Sequence, residues 1–260
     1  MRIFKRKLYE KLLDWKNNRS GRTAVLIEGA RRVGKSTLAR QFAQNEYESY
    51  VMIDFSIVKK DILELFDSIA DLDYFFLQLQ FRLGVSLKER KSLIIFDEVQ
   101  MCPKARQAIK HLVADGRYDY IETGSLISIR KNVKDIVIPS EEEKMVLHPL
   151  DYEEFKWALG DTTTIAQMRM IFEKRLSMGD AVTRKLMRDF RLYMAVGGMP
   201  QAVCEYLETN NLMEVDRVKR GIIQLYEDDF YRIDQSGRIS MLFDAIPAQL
   251  SSNASRFQVA

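Results

Sequence analysis

The sequence predicts an α/β fold in which helices flank a five-stranded, mainly parallel sheet and an all-helical region follows. Two observations carry this prediction. Short apolar runs alternate with helical stretches as far as about residue 160, and such alternation indicates a parallel sheet with helices on both faces. From about residue 162 the strand signals fade and helical periodicity continues. The chain is therefore expected to form an α/β core followed by a helical lid.

The first elements along the chain are a short amphipathic helix and a strand. Leu8, Leu12 and Trp15 fall at helical spacing between basic residues, so this helix is expected to pack on the core. The apolar segment 24–28 indicates the first strand. The other predicted strands are 50–54, 92–96, 118–122 and 144–148, and the other predicted helices are 36–43, 61–83, 103–115, 151–158, 163–177, 181–195, 199–209, 214–232 and 238–250.

Composition and charge argue against several classes of protein. The 260 residues include 40 basic and 37 acidic side chains, a net charge of +3, so no sequence-wide field favours nucleic acid or an anionic membrane. Two cysteines and two histidines without metal-binding spacing argue against a zinc site or a disulfide framework. No uninterrupted apolar run reaches the ~18 residues of a membrane span. We therefore expect a cytoplasmic protein with no membrane partner.

A glycine-rich segment lies between the first strand and the next helix. Residues 29–36 read Gly-Ala-Arg-Arg-Val-Gly-Lys-Ser, which is the P-loop pattern in the strand–loop–helix context that it requires. Its glycines let the backbone wrap around phosphate oxygens, and its amide groups point inward at a helix N-terminus. The predicted nucleotide-binding residues are Gly29, Ala30, Arg31, Arg32, Val33, Gly34, Lys35, Ser36 and Thr37.

Two carboxylates follow the apolar strand 92–96. In P-loop proteins the first acid holds magnesium together with the P-loop hydroxyl, and a second one can activate the attacking water. The sequence thus predicts Ser36 and Asp97 as Mg²⁺ ligands, and Glu98 with Lys35 as catalytic residues acting on ATP. The second acid favours hydrolysis over a small-molecule kinase.

A third candidate feature is Thr123-Gly-Ser125, which follows the strand 118–122. In the expected sheet order 5-1-4-3-2 this strand lies between the P-loop strand and the strand that ends at Asp97. A hydroxyl at its tip would then face the γ-phosphate or the attacking water, as a sensor. The alternative is a turn in which Thr123 or Ser125 caps the next helix. Which hydroxyl points inward is left open.

Five segments together resemble a known family. They are residues 29–36, Phe96-Asp-Glu-Val-Gln100 followed by Cys102-Pro103, Thr123-Gly-Ser125, His148-Pro-Leu-Asp-Tyr-Glu-Glu-Phe155 and Gly197-Gly-Met-Pro200. In this order the sequence resembles the bacterial and archaeal AAA-family ATPases, which are related to the signal-transducing STAND ATPases. These proteins carry a nuclease-like C-terminal domain of unknown function.

The resemblance implies a P-loop NTPase fold with three parts. Residues 1–160 would form the AAA-like core, 161–246 the helical lid domain, and 247–260 the start of a truncated C-terminal domain. Gly198 and Pro200 would belong to the lid motif that approaches the nucleotide base. Residues 222–229, Ile-Ile-Gln-Leu-Tyr-Glu-Asp-Asp, resemble a further family segment to which no role is assigned.

One region departs from the family pattern. Many relatives have Gly-Arg shortly before the His-Pro-Leu segment, whereas residues 138–144 read Ile-Pro-Ser-Glu-Glu-Glu-Lys here. A cationic finger from that position is therefore in doubt. Other cations that could supply one are Arg130, Lys131, Arg184, Arg188 and Arg191, and for each the alternative is a solvated charged face.

The leading hypothesis is Mg²⁺-dependent ATP binding and hydrolysis, coupled to lid movement. One alternative is a nucleotide-gated switch with little hydrolysis, and another is the ATPase subunit of a DNA-associated system. A protein or nucleic-acid partner and an oligomer are compatible with each of them.

Overall fold

The computed structural model describes residues 2–67, 69–125 and 141–251. Its sheet consists of β1 (Ala24–Gly29), β2 (Ser49–Asp54), β3 (Ser92–Asp97), β4 (Asp119–Ser125) and β5 (Glu142–Val146). The strand order is β2-β3-β4-β1-β5, and neighbouring strands are parallel. Both the α/β class and the predicted strand order are confirmed.

Helices flank the sheet, and after β5 the described chain forms helices only. They are α1 (Leu8–Asn18), α2 (Lys35–Glu46), α3 (Lys60–Leu65), α4 (Leu72–Leu83), α5 (Pro103–Asp115), α6 (Tyr152–Ala158), α7 (Thr164–Glu173), α8 (Asp180–Val196), α9 (Pro200–Thr209), α10 (Leu212–Ile233), α11 (Arg238–Asp244) and α12 (Ile246–Ser251). None of the described helices is both long enough and apolar enough to cross a membrane.

Two predicted helices are each divided in the structure. The stretch 61–83 forms α3 and α4, because the Asp71 carboxylate accepts a hydrogen bond from Tyr74 N (3.0 Å) and thereby starts a new helix. The stretch 238–250 forms α11 and α12, where Pro247 occupies the first turn of the second helix. The last strand, predicted at 144–148, begins two residues earlier, at Glu142.

The sheet is buried on both faces. Along β3, Ile94 and Phe96 join a hydrophobic cluster with α3, α4 and α5, whereas Leu93 and Ile95 join a cluster with α1 and α2. This division follows from the two-residue period of a strand. Every residue of β3 is buried, as expected for a parallel sheet covered by helices on both sides.

A third hydrophobic cluster joins the helical region to the core. Phe4 from the N-terminal segment packs there with Leu150, Phe155, Val203 and others. This packing brings α8, α9 and α10 to the edge of the sheet where β1, β3 and β4 end. In open parallel sheets, ligand sites form at this carboxyl edge.

Glu122 on β4 is fully buried in the middle of the sheet. It lies beside Glu142, which forms a buried ion pair with Arg106 (Glu142 Oε1 to Arg106 Nη2, 3.1 Å). Burial, and next the negative charge of Glu142, hold the pKa of Glu122 well above its usual range. Glu122 is therefore protonated in the folded chain at pH values where an exposed glutamate is ionised.

Glu122→Gln should weaken the pH dependence of stability. Above the usual glutamate pKa of 4.5 the unfolded chain loses this proton while the folded chain keeps it, so the free energy of unfolding of the parent falls as pH rises. Glutamine has no such proton. In thermal unfolding from pH 5 to 8, the melting temperature of Glu122→Gln should increasingly exceed that of the parent, by ~2–4 °C per kcal/mol. The exposed Glu89→Gln control should follow the parent; a constant difference for Glu122→Gln would contradict the assignment.

Candidate nucleotide-binding site

A cavity of about 610 Å³ lies at the carboxyl edge of the sheet. The P-loop and the start of α2 form its floor, and Glu98 lies at one side. The N-terminal segment and the helical region after the sheet, which the sequence predicts as the lid and which keeps that name below, complete the cavity. The N-terminal segment contributes Arg2, Ile3, Phe4 and Arg6, and the helical region contributes Pro200, Gln201, Cys204, Glu205, Glu208 and Val218. The size of the cavity lies within the range of small-molecule and cofactor sites.

The P-loop lysine is held inside its own loop. Lys35 begins α2 and is only 5% exposed. Its ammonium donates hydrogen bonds to Gly29 O (3.1 Å) and Ala30 O (2.9 Å). Burial lowers its pKa, while the negative charges of Glu98 and Asp97 act in the opposite direction. The preceding Gly34 has φ +96°, a left-handed conformation that favours glycine at this turn.

The predicted magnesium ligands lie in contact. Ser36 Oγ donates a hydrogen bond to Asp97 Oδ1 (2.7 Å), and Thr123 Oγ1 donates to the same oxygen. Thr123 Oγ1 also accepts a hydrogen bond from Glu98 N (3.3 Å). The structure therefore brings together residues from the P-loop and from the ends of β3 and β4.

The two predicted sensor hydroxyls occupy different places. Thr123 is fully buried against Asp97, so it is the inward-pointing residue of the pair. Ser125 lies two residues further, opposite Gly29 of β1, and lines a second cavity together with Ala30 and Arg31 from the beginning of the P-loop. The sensor role itself stays a prediction, and the geometry assigns it to Thr123.

Glu98 has an uncommon backbone conformation. Its φ of 54° and ψ of 47° place it in the left-handed region, where few residues other than glycine, asparagine and aspartate occur. Glu98 lines the cavity, and its carboxylate accepts a hydrogen bond from Gln100 Nε2. Strained residues of this kind concentrate at functional sites.

The lid motif is joined to the core by main-chain contact. Leu150 N donates a hydrogen bond to Gly198 O (2.7 Å), and a Cβ on Gly198 would lie 2.1 Å from Leu150 O. No other residue type fits there without moving the backbone. Pro200 begins α9, and its Cγ would lie 3.9 Å from a Cβ on Gly34. The turn before α9 is thus placed directly over the P-loop.

Sequence reasoning missed the N-terminal Arg6. Its Nη1 donates to Val33 O of the P-loop (2.9 Å), its Nη2 donates to His148 O, and its Nε lies 3.3 Å from Glu154 Oε1. Both side chains of the ion pair are 6% exposed. Arg6 lies close to three other basic residues, Arg2, Lys5 and Lys7, so no sequence pattern distinguished this arginine from its neighbours.

The described side chains considered as possible cationic fingers do not line the nucleotide-binding cavity. Arg184, Arg188 and Arg191 are exposed on α8, and none lines the cavity. Arg130 and Lys131 lie outside the described residues.

A family model described as an AAA domain matches residues 21–156. The chain belongs to this AAA domain family. The matched range contains the P-loop, the acids after β3 and Thr123. A second model, described as a domain of unknown function, matches residues 187–260, which include α9 and α10 of the lid. No curated protein matches the chain.

Several solved structures are distantly similar to the AAA domain chain. The Aeropyrum pernix ORC1 protein in complex with DNA has 14% identity and a TM-score of 0.39, with 59% of this chain and 46% of that one covered. PCH-2 of C. elegans has 14% identity and a TM-score of 0.39, with 79% and 60% covered. A STAND protein with a tetratricopeptide repeat sensor from Pyrococcus horikoshii has 16% identity and a TM-score of 0.45, with 86% and 33% covered. The chain thus spans less than two thirds of each.

Gly198→Ala should destabilise the lid contact, because the new methyl group would overlap the Leu150 carbonyl. We expect a loss of about 1–3 kcal/mol in the free energy of unfolding, together with weaker nucleotide binding. The matched control is Gly221→Ala in α10, where a Cβ meets nothing within 4 Å and removal of a helical glycine should stabilise by up to ~1 kcal/mol. Denaturant unfolding compares the two. Equal stabilities would show that the Gly198 contact is unimportant.

Proposed function

We propose that this AAA domain binds ATP with Mg²⁺ in the 610 Å³ cavity, hydrolyses it, and couples the nucleotide cycle to movement of the helical lid. The observation that carries the proposal is the 2.7 Å hydrogen bond from Ser36 Oγ to Asp97 Oδ1. It joins the phosphate-binding loop to the acid-ended strand at the rim of the cavity, which is the arrangement that phosphoryl transfer requires.

The P-loop would receive the phosphate chain. The amide groups between Gly29 and Ser36 would surround the phosphate oxygens, with the N-terminus of α2 adding partial positive charge. Lys35 would exchange its hydrogen bonds to Gly29 O and Ala30 O for bonds to the β- and γ-phosphates. A buried ammonium already close to its target needs little rearrangement.

Ser36 and Asp97 are the residues that would hold Mg²⁺. Their hydroxyl and carboxylate are oxygen ligands, and Asp97 is almost fully buried with one oxygen already shared by two hydroxyls. Within the described part of the chain, no group of three or more His, Cys, Asp or Glu could hold a metal ion alone. This suits magnesium, which takes the rest of its ligands from phosphate and water and neutralises their developing charge.

Glu98 would orient the attacking water and take its proton. Gln100 would hold the Glu98 carboxylate in position, since its amide already donates to that group. Thr123 contacts both Asp97 and the Glu98 amide, so it would transmit the presence of the γ-phosphate to both acids. The catalytic roles of Glu98 and Lys35 and the sensor role of Thr123 are parts of the proposal.

The base would lie between the N-terminal segment and the lid. Ile3, Phe4 and Pro200 give this end of the cavity apolar surface. The proposal divides the described chain into a core of residues 1–160 and a helical lid of residues 161–246. That this protein acts with a protein or nucleic-acid partner, or as an oligomer, is a hypothesis from the family resemblance.

A nucleotide-gated switch is the second candidate. It is favoured by direct contact between α10 and the P-loop, where Tyr226 Oη donates to Arg31 O (2.8 Å). Helical residues held by the phosphate-binding loop can respond to its occupancy without fast hydrolysis. Single-turnover phosphate release much slower than nucleotide exchange would support this candidate over the ATPase.

Glu98→Gln should slow ATP turnover by roughly 10² to 10⁴-fold, because glutamine accepts no proton from water. Nucleotide affinity should stay close to that of the parent. Phosphate release at saturating ATP measures the first quantity and competition with a fluorescent nucleotide the second. Exposed Glu89→Gln serves as the control. An unchanged turnover rate would remove Glu98 from the mechanism.

Lys35→Ala should weaken ATP binding itself by about 10 to 100-fold, since hydrogen bonds to a charged group contribute ~1.5–3 kcal/mol. Equilibrium titration with ATP and Mg²⁺ tests this, with the exposed Lys110→Ala variant as control. Undiminished affinity in Lys35→Ala would place the nucleotide elsewhere.

A further inference from the structure

Helix α10 holds one residue of the P-loop by both its side chain and its main chain. Arg31 Nη1 lies 2.8 Å from Asp229 Oδ1, and Tyr226 Oη donates a hydrogen bond to Arg31 O (2.8 Å). Both contacting residues belong to the segment 222–229, whose role the sequence alone does not indicate. The nucleotide-binding loop and the far end of the chain therefore meet at Arg31.

Arg31 lies at the end of the P-loop where the terminal phosphate is expected. The Lys35 ammonium reaches the β- and γ-phosphates in P-loop proteins. Here it bonds to Gly29 O and Ala30 O, so the peptide groups immediately before Arg31 face that ammonium. The positive charge of Arg31 is close enough to oppose protonation of Lys35, after the larger effects of burial, Glu98 and Asp97.

The ion pair between Arg31 and Asp229 is weak enough to be exchanged. The Arg31 side chain is 40% exposed and that of Asp229 is 26% exposed, and pairs this accessible contribute little to stability. A terminal phosphate offers a guanidinium several acceptor oxygens and a larger negative charge, in a geometry that allows two parallel hydrogen bonds. A diphosphate bound by the same loop lacks that group.

Loose packing around Asp229 leaves room for the exchange. Arg31 and Asp229 line a cavity of about 330 Å³ together with Tyr226, Phe230 and Phe243. Once Arg31 leaves, Asp229 is not left without a cation, because Arg232 Nη1 of the same helix lies 3.7 Å from Asp229 Oδ1. The carboxylate therefore has a second partner already in place.

We propose that the Arg31 side chain distinguishes ATP from ADP by moving from Asp229 to the terminal phosphate. Asp229 is the positioning residue that competes for this side chain, and Tyr226 is a positioning residue that holds the Arg31 main chain. The inference rests on the proposed nucleotide binding and adds a triphosphate-specific contact to it. Binding of ATP then loosens the attachment of α10 to the P-loop, because only the Tyr226 hydrogen bond to Arg31 O remains, whereas binding of ADP leaves both contacts in place.

The test is a comparison of affinities for ADP and for the slowly hydrolysed analogue ATPγS, each with Mg²⁺, by competition with a fluorescent nucleotide. Asp229→Asn removes the competitor, so the affinity for ATPγS should rise about 2 to 5-fold while that for ADP stays the same. Arg31→Ala should lower the ratio of ATPγS to ADP affinity by about tenfold or more. Arg31→Lys, which keeps the charge without the planar fork, should restore part of that ratio.

The double variant Arg31→Ala/Asp229→Asn decides whether Asp229 acts through Arg31. The double variant should have the same two affinities as Arg31→Ala alone, because loss of the Asp229 carboxylate has no effect when there is no Arg31 side chain for it to pair with. The matched control is Asp216→Asn, which breaks an exposed pair with Arg220 on the same helix and should leave both affinities unchanged. If Asp229→Asn raises ATPγS affinity equally in the Arg31→Ala background, the competition mechanism is wrong.

Amide hydrogen exchange in α10 tests the switch directly. If Arg31 and Asp229 only stabilised the fold, ATPγS and ADP would have the same effect on this exchange. Amide exchange in residues 222–233 should increase with ATPγS but not with ADP in the parent, and should lose this difference in Arg31→Ala. Tyr226→Phe should raise exchange without nucleotide, whereas Tyr231→Phe, an exposed tyrosine nearby, should not. Equal exchange with both nucleotides would overturn the inference, although the proposed ATPase would stand if both still bind. Failure of the parent to bind either nucleotide would overturn both.

Discussion

The hydrogen bond from Ser36 to Asp97 is the contact on which the rest of the site depends. Ser36 lies at the start of α2, after β1, and Asp97 ends β3, and β4 separates β1 from β3 in the sheet. The contact forms only if the P-loop turns over the end of β4, and Thr123 supports this geometry by donating to the same carboxylate. Strand order, loop conformation and the position of both acids are thus fixed together.

Much of the core could be predicted because its signals are local. A buried parallel strand needs an apolar run, and a phosphate loop needs glycines and a lysine at fixed spacing between a strand and a helix. The choice between Thr123 and Ser125 could not be predicted, since side chains of the same parity share one face of a strand. Register decides it: Ser125 pairs with Gly29, beyond the last paired residues of β3, whereas Thr123 is level with Asp97.

The contacts that sequence reasoning missed join residues far apart in the chain. Arg6 reaches the carbonyl oxygens of Val33 and His148, and Arg31 meets α10. No periodicity or spacing encodes such pairs. The buried ion pair between Arg6 and Glu154 carries a desolvation cost that can exceed its Coulombic gain, so its main effect is geometric. It holds the N-terminal segment, the P-loop and the start of α6 in one arrangement.

The contact between Gly198 and Leu150 consists of backbone alone. This backbone contact requires glycine at position 198, but the hydrogen bond itself involves no side chain of either residue. Outside the third hydrophobic cluster, the side chains of the lid helices can therefore change while this backbone contact with the core is kept. Such modularity would let one nucleotide-binding core acquire new downstream partners over evolution without any change in its phosphate chemistry.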